Sequence, residues 1–257
     1  MTELSVLPGS LRRMSRVPVL LVTLVGACAL LAACGVTVQS SQPVDASPAT
    51  SATIAASGPA RAPKVDVKSA LAALAVLPVK GRAPMTGYDR DAFGPAWSDA
   101  TDAQWGHNGC DTRNDILRRD LRAVTLKPGS HGCVVLSGTL QDPYGNTTIH
   151  FVRGVGTSTA VQIDHVVALA DAWQKGAQGW DAEKRKMFAN DPRELLAVSG
   201  PLNESKRDGD AATWLPPNKA YRCAYVAQQV AVKRAYGLWT TQAEHDAIIR
   251  LLEGCSA

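Results

Sequence analysis

Asp164 and His165 stand side by side at the end of a short run, Val161-Gln162-Ile163. Adjacent strand residues point to opposite faces, so one of the pair can bind a metal ion while the other meets a substrate. Imidazole titrates near neutrality and can take a proton from water, the first need of a hydrolase. Further on come Glu194-Leu195-Leu196 and then Leu202-Asn203-Glu204-Ser205-Lys206. The Asn203-x-x-Lys206 unit follows Gly200-Pro201 and is expected at a helix start, where free backbone donors attract phosphate. Each residue also has a plainer reading. An Asp-His pair can be a structural hydrogen bond, Asn203 a helix cap, and Lys206 a solvated charge.

The elements that must position these residues follow from pattern. Asp66 caps a short helix over 67–77, before Pro78. A loop-rich segment holds Tyr88-Asp89-Arg90 and Phe93-Gly94-Pro95. Asp111 starts an amphipathic helix with Ile116, Leu117, Leu121 and Val124 on one face. Its arginines 113, 118, 119 and 122 occupy much of the rest. Strands are expected over 133–140 and 147–153, around the turn Asp142-Pro143-Tyr144-Gly145-Asn146. A third, over 160–163, runs into Asp164-His165. A helical stretch then reaches Gly176, and Leu195–Ser199 is a strand closed by Gly200-Pro201. Two helices end the chain, one over 224–236 and one opened by the capping box Thr241-x-x-Glu244. The fold class is α+β, a small β element among helices and not a doubly wound sheet.

The 257 residues carry a net charge of +4, too mild for a polybasic nucleic-acid binder, and no repeat points to a solenoid. Arg12, Arg13 and Arg16 precede an uncharged run, Val17 to Leu31, that reads as an export signal and is short for a membrane span. The run ends in Leu31-Ala32-Ala33-Cys34, which resembles a bacterial lipoprotein box and makes Cys34 the expected lipidation site. Nineteen of the thirty residues from Gly35 to Lys64 are Ala, Ser, Pro or Thr, too polar and too small to offset their ordering entropy. The expected organisation is a signal over 1–33, a lipidated cysteine and tether over 34–65, and a folded domain over 66–257. Four cysteines remain in that domain, and local pairing favours disulfides Cys110–Cys133 and Cys223–Cys255.

Several motifs together resemble the HNH, or ββα-metal, endonucleases. They are Asp164-His165-Val166-Val167-Ala168-Leu169, Asp171-Ala172-Trp173, Phe188-Ala189-Asn190-Asp191-Pro192, Leu202-Asn203-Glu204-Ser205-Lys206 and Trp214-Leu215-Pro216-Pro217. The likeness is greatest to an exported branch related to the C-terminal domain of GmrSD-type restriction enzymes. It extends upstream through Tyr88-Asp89-Arg90, Gly109-Cys110-Asp111-Thr112-Arg113-Asn114 and Asp142-Pro143-Tyr144-Gly145, and so covers most of 78–257.

The resemblance implies a small ββα-metal element within 160–217 that hydrolyses phosphodiesters. His165 would be general base, Asp164 and Asn203 the ligands of one divalent ion, and Lys206, with Arg113, the contacts to phosphate. Hard oxygen donors suit Mg²⁺ or Mn²⁺ better than Zn²⁺. Where the family has an asparagine that braces the loop carrying the base, this chain has Glu194. A glutamate there could hydrogen-bond the imidazole and raise its pKa, or lie near the metal. The expected substrate is nucleic acid, DNA ahead of RNA, cut by a monomer on the outer face of the bacterial cytoplasmic membrane or released from it. Membrane attachment would be through the lipid alone. The alternative is a non-catalytic lipoprotein that uses the same scaffold to bind a ligand.

Overall fold

In the computed structural model residues 64–255 are described; the export signal, Cys34 and most of the tether lie outside them. Asp66 caps α1 (Val67–Ala75), accepting the Ser69 N–H at 3.0 Å. Asp111 caps α2 (Thr112–Asp120) through the Asn114 N–H. Helix α2 stops nearer than its apolar spacing predicts. Leu121 and Val124, expected on its face, lie in β1 (Leu121–Leu126), which pairs antiparallel with β2 (Val135–Gln141). β-Branched Val124 and Thr125 suit a strand, and pairing satisfies backbone groups that the helix would otherwise have satisfied. β3 (Thr148–Val152) completes a three-stranded antiparallel sheet in the order β1-β2-β3.

β4 (Val161–His165) pairs antiparallel with β5 (Leu195–Ser199), with Asp164 opposite Leu196 and His165 opposite Leu195. Between them lie α3 (Leu169–Gln174) and α4 (Ala182–Ala189). β5 runs directly into α5 (Gly200–Lys206), so Gly200-Pro201 opens a helix rather than closing a strand. Proline suits a first helical turn, where its missing N–H has no intrahelical partner. Glycine is required at 200 because a Cβ there would sit 2.1 Å from the Thr159 carbonyl oxygen. Asn203 therefore lies mid-helix, not at the helix start expected of it. Helices α6 (Arg222–Tyr236) and α7 (Gln242–Glu253) end the domain.

Strand alternation splits the core across the β4-β5 ribbon. Val161, Ile163, Leu195 and Ala197 face Ile116, Leu117 and Phe151 from α2 and the larger sheet. The opposite face meets the helical core of α1, α3, α4, α6 and α7, with Val198 among it. Both expected disulfides are present: Cys110–Cys133 bridges the loop before α2 to that before β2, and Cys223–Cys255 fastens the chain end to α6. No helix among the described residues is long and apolar enough to cross a membrane.

The helical half encloses a charge cluster. Lys175 is fully buried, with its ammonium 2.6 Å from both Asp171 and Glu244 and 2.8 Å from Asp210. Lys233, equally buried, reaches Asp171 at 3.1 Å and Glu244 at 3.0 Å. Thr241 caps α7 through the Glu244 N–H, but the Glu244 side chain turns into this cluster instead of back to the cap.

Candidate active site

Asp164 and His165 leave the β4-β5 ribbon on opposite faces, as alternation requires. Asp164 points toward α5. Its Oδ2 accepts the Tyr144 hydroxyl at 2.5 Å, and its Oδ1 takes the Lys206 ammonium at 2.8 Å. Tyr144 is fixed by the turn that the motif Asp142-Pro143-Tyr144-Gly145 makes. The Asp142 carboxylate accepts the N–H groups of Tyr144, Gly145 and Ser199, tying the β2–β3 turn to the end of β5.

His165 points the other way and is 6% exposed. Its Nε2 lies 3.0 Å from the Ala189 carbonyl oxygen. A carbonyl only accepts, so this contact places the ring hydrogen on Nε2 and leaves the Nδ1 lone pair free. Trp97 stacks on the imidazole, with ring centroids 5.8 Å apart and planes at 13°. Burial, then the positive charges of Arg90 and Lys206, push the His165 pKa down to about 3, so the free ring is neutral. The expected rise through Glu194 is absent because Glu194 does not touch the imidazole. Its buried carboxylate instead accepts the Val167 N–H at 3.0 and 3.2 Å, two residues past His165. The Val166 N–H also donates to the Glu194 carbonyl at 2.9 Å. Burial raises the Glu194 pKa well above the ordinary value, with Asp164 adding and Lys206 opposing.

Asp164, His165 and Asn203 line one cleft of about 280 Å³, together with Tyr88, Arg90 and Arg207. Asn203 donates through Nδ2 to Gln162 Oε1 at 2.8 Å, which directs its amide along the β4 face. Two residues expected on phosphate are elsewhere. Lys206 is buried, its ammonium spent on Asp164 and, at 2.7 Å, on the His165 carbonyl. Arg113 donates to the carbonyls of Ser158 and Val161 and anchors the start of β4. Charge in the sequence marked both, but a partner more than forty residues away leaves no local trace. Sequence reasoning gave no role to Tyr144, Gln162, Trp97, Arg90 or Arg207. Tyr144 and Arg90 lay inside motifs quoted for their resemblance and Gln162 inside the run before Asp164; Trp97 and Arg207 carried no signal.

For a divalent ion the cleft offers Asp164, whose oxygens keep spare lone pairs, and the carbonyl oxygen of Asn203. No group of three or more His, Cys, Asp or Glu among the described residues could hold a metal. Two hard oxygen donors would suit Mg²⁺ or Mn²⁺, which retain water and share substrate phosphates, rather than Zn²⁺, but the Asp164 carboxylate already accepts from Tyr144 and Lys206.

Residues 111–251 match the sequence model of the family described as GmrSD restriction endonucleases, C-terminal domain. The chain is also 36% identical over 184 residues to an uncharacterized secreted protein of Arthroderma benhamiae, covering 71% of this chain and 82% of that one. No solved structure matches the chain.

Proposed function

Because this chain belongs to the family of the GmrSD restriction endonuclease C-terminal domain, we propose that it is an exported, metal-dependent HNH endonuclease acting on nucleic acid, DNA ahead of RNA. The observation that carries this reading is that His165, whose imidazole keeps Nδ1 free, directly follows Asp164 at the end of β4, and that both residues line one cleft with Asn203. His165 Nδ1 takes a proton from water as the water oxygen attacks phosphorus and the bridging P–O bond breaks. Glu194 holds the loop after His165 through the Val167 N–H, and the Ala189 carbonyl fixes the tautomer. Tyr144 and Lys206 orient Asp164. Asp164 and Asn203 would hold Mg²⁺ or Mn²⁺, which when bound supplies positive charge against the charge developing on phosphate. Burial, then Arg90 and Lys206, lower the His165 pKa in the free protein, and a phosphodiester in the cleft would offset the two charges and make the ring a better base.

Plasmid incubated with the full chain and Mg²⁺ or Mn²⁺ should be nicked, and His165→Ala should slow nicking by about 10²–10⁴-fold. The Lys206–Asp164 ion pair favours a second reading, a non-catalytic binding module, because it satisfies the carboxylate without a metal. Bound but uncut plasmid with every divalent ion tried would select that reading.

The secreted relative, the two disulfides and the signal-like segment support export. Lipidation of Cys34 would hold the protein, as a monomer, on the outer face of the bacterial cytoplasmic membrane. Cys34→Ala should then leave it unprocessed or released from the detergent phase. Unchanged partitioning would remove the anchor from the proposal.

A further inference from the structure

The family match begins at residue 111, yet part of the cleft wall comes from before it. Arg90 lines the cleft with Asp164, His165 and Asn203, and an adjoining hollow with Trp97, His165 and Asn190. The strap that carries it is firmly fastened. Arg82 lies 3.0 Å from Asp171 and 2.6 Å from Asp210, two carboxylates of the buried cluster. The Ala83 N–H donates to the Gln174 carbonyl at 2.8 Å, Trp239 Nε1 to the Gly81 carbonyl at 3.0 Å, and Arg185 Nε to the Ala92 carbonyl at 2.8 Å.

A phosphodiester cleft needs cations that are not already spent. Lys206 and Arg113 are spent on internal partners. Among the described residues that line the cleft, Arg90 and Arg207 have guanidinium groups with no hydrogen bond or ion pair to the protein. Arg207 directly follows α5 with φ 53°, a conformation that L side chains rarely adopt. Of the acidic groups that share the cleft, Asp164 is paired with Lys206, Glu204 is engaged by Gln162 Nε2 at 2.8 Å, and Asp208 is exposed. The guanidinium fork matches phosphate oxygens two at a time, and such interactions fix a backbone without reading its sequence.

We propose that Arg90 and Arg207 are the phosphate clamp of this cleft, which makes the strap ahead of the family-matched region part of the substrate site. The proposal rests on the nuclease reading and names the groups that hold its substrate. The test uses the full chain carrying His165→Ala and a short fluorescein-labelled DNA duplex, titrated over a series of salt concentrations. A variant that no longer neutralises one phosphate should flatten the slope of log K against log salt by about 0.9. Arg90→Gln and Arg207→Gln should each do so, whereas Arg250→Gln, on the exposed side of α7, should not. Arg90→Lys should keep the slope and lose part of the affinity, a pattern that mere misfolding would not give. With His165 intact, both glutamine variants should raise KM for plasmid more than they lower kcat. Unchanged slopes, when the wild-type chain binds duplex and hydrolyses bis(p-nitrophenyl) phosphate, overturn the clamp alone. A wild-type chain that does neither overturns the nuclease reading, and the clamp with it.

Discussion

The ammonium of Lys206 lies 2.8 Å from Asp164 Oδ1, and neither side chain is more than 5% exposed. The pair joins the end of α5 to the end of β4, so one ion pair sets the spacing between the helix that carries Asn203 and the strand that carries His165. Removing one partner of a buried ion pair leaves the other charge stranded, at a cost of roughly 3–5 kcal/mol. Lys206→Met should destabilise by about that much in urea unfolding. Adding Asp164→Asn should recover part of the loss, because no charge is then left unpaired. Equal and additive losses would show that the two groups do not interact.

Glu194 acts through the Val167 N–H rather than on the imidazole, and this separates its variants. Glu194→Gln keeps an acceptor and should leave cleavage within about tenfold, whereas Glu194→Ala frees the loop and should cost up to ~10²-fold. The pH dependence has a definite sign. Burial raises the folded pKa above the ordinary 4.5, so the contribution to stability is full below that value and lost as pH rises. Glu194→Gln should therefore raise the thermal midpoint at neutral pH and have little effect near pH 4. A stabilisation confined to acid would contradict the buried-carboxyl account.

Some of this architecture is legible in the sequence alone. The alternation in Val161-Gln162-Ile163-Asp164 marks β4, the short apolar run before Gly200-Pro201 marks β5, and four cysteines in an exported chain imply the disulfides that form. Local chemistry also identifies the caps Asp66, Asp111 and Thr241. What fails is everything that depends on a distant partner. Leu121 and Val124 fit helical spacing as well as strand spacing, and only the edge of β2 decides between them. Lys206 and Arg113 are cations in any sequence, and only folding shows that Asp164 and three carbonyls consume them. The capping-box reading of Thr241-x-x-Glu244 holds at the threonine and fails at the glutamate, because Lys175 and Lys233 compete for that carboxylate.

That competition makes the helical half sensitive to acid. Burial alone would raise the Asp171 pKa, but Lys233 and Lys175 override it and hold the group below its ordinary 3.8. A depressed carboxylate contributes stability that is present above the unfolded value and lost as pH falls through the folded one. Stability should therefore drop below about pH 4. In Asp171→Asn that acid-induced loss should be shallower, from a lower starting stability. An acid limb of the same steepness in the variant would place the sensitivity elsewhere.

The state of His165 can be tested directly. Trp97 stacks on a face of the ring, the Ala189 carbonyl meets its Nε2, and burial, then Arg90 and Lys206, lower its pKa to about 3. In the free protein its ring resonances should show no titration between about pH 5 and 8, where an exposed histidine would change charge. Since kcat/KM reports the free enzyme, its pH profile should lack a limb near the ordinary 6.5. Trp97→Ala opens one face of the ring to water, which lessens desolvation, the largest cause of the shift. The pKa should then climb back toward 6.5, and an acid limb should appear in kcat/KM. His165→Ala should lose about 10²–10⁴-fold in rate, the usual contribution of a general base. Divalent-ion binding through Asp164 should survive that substitution, because the two side chains leave β4 on opposite faces. A His165→Ala protein that still cuts plasmid at the full, metal-dependent rate would take the base away from His165 and the HNH mechanism away from this cleft.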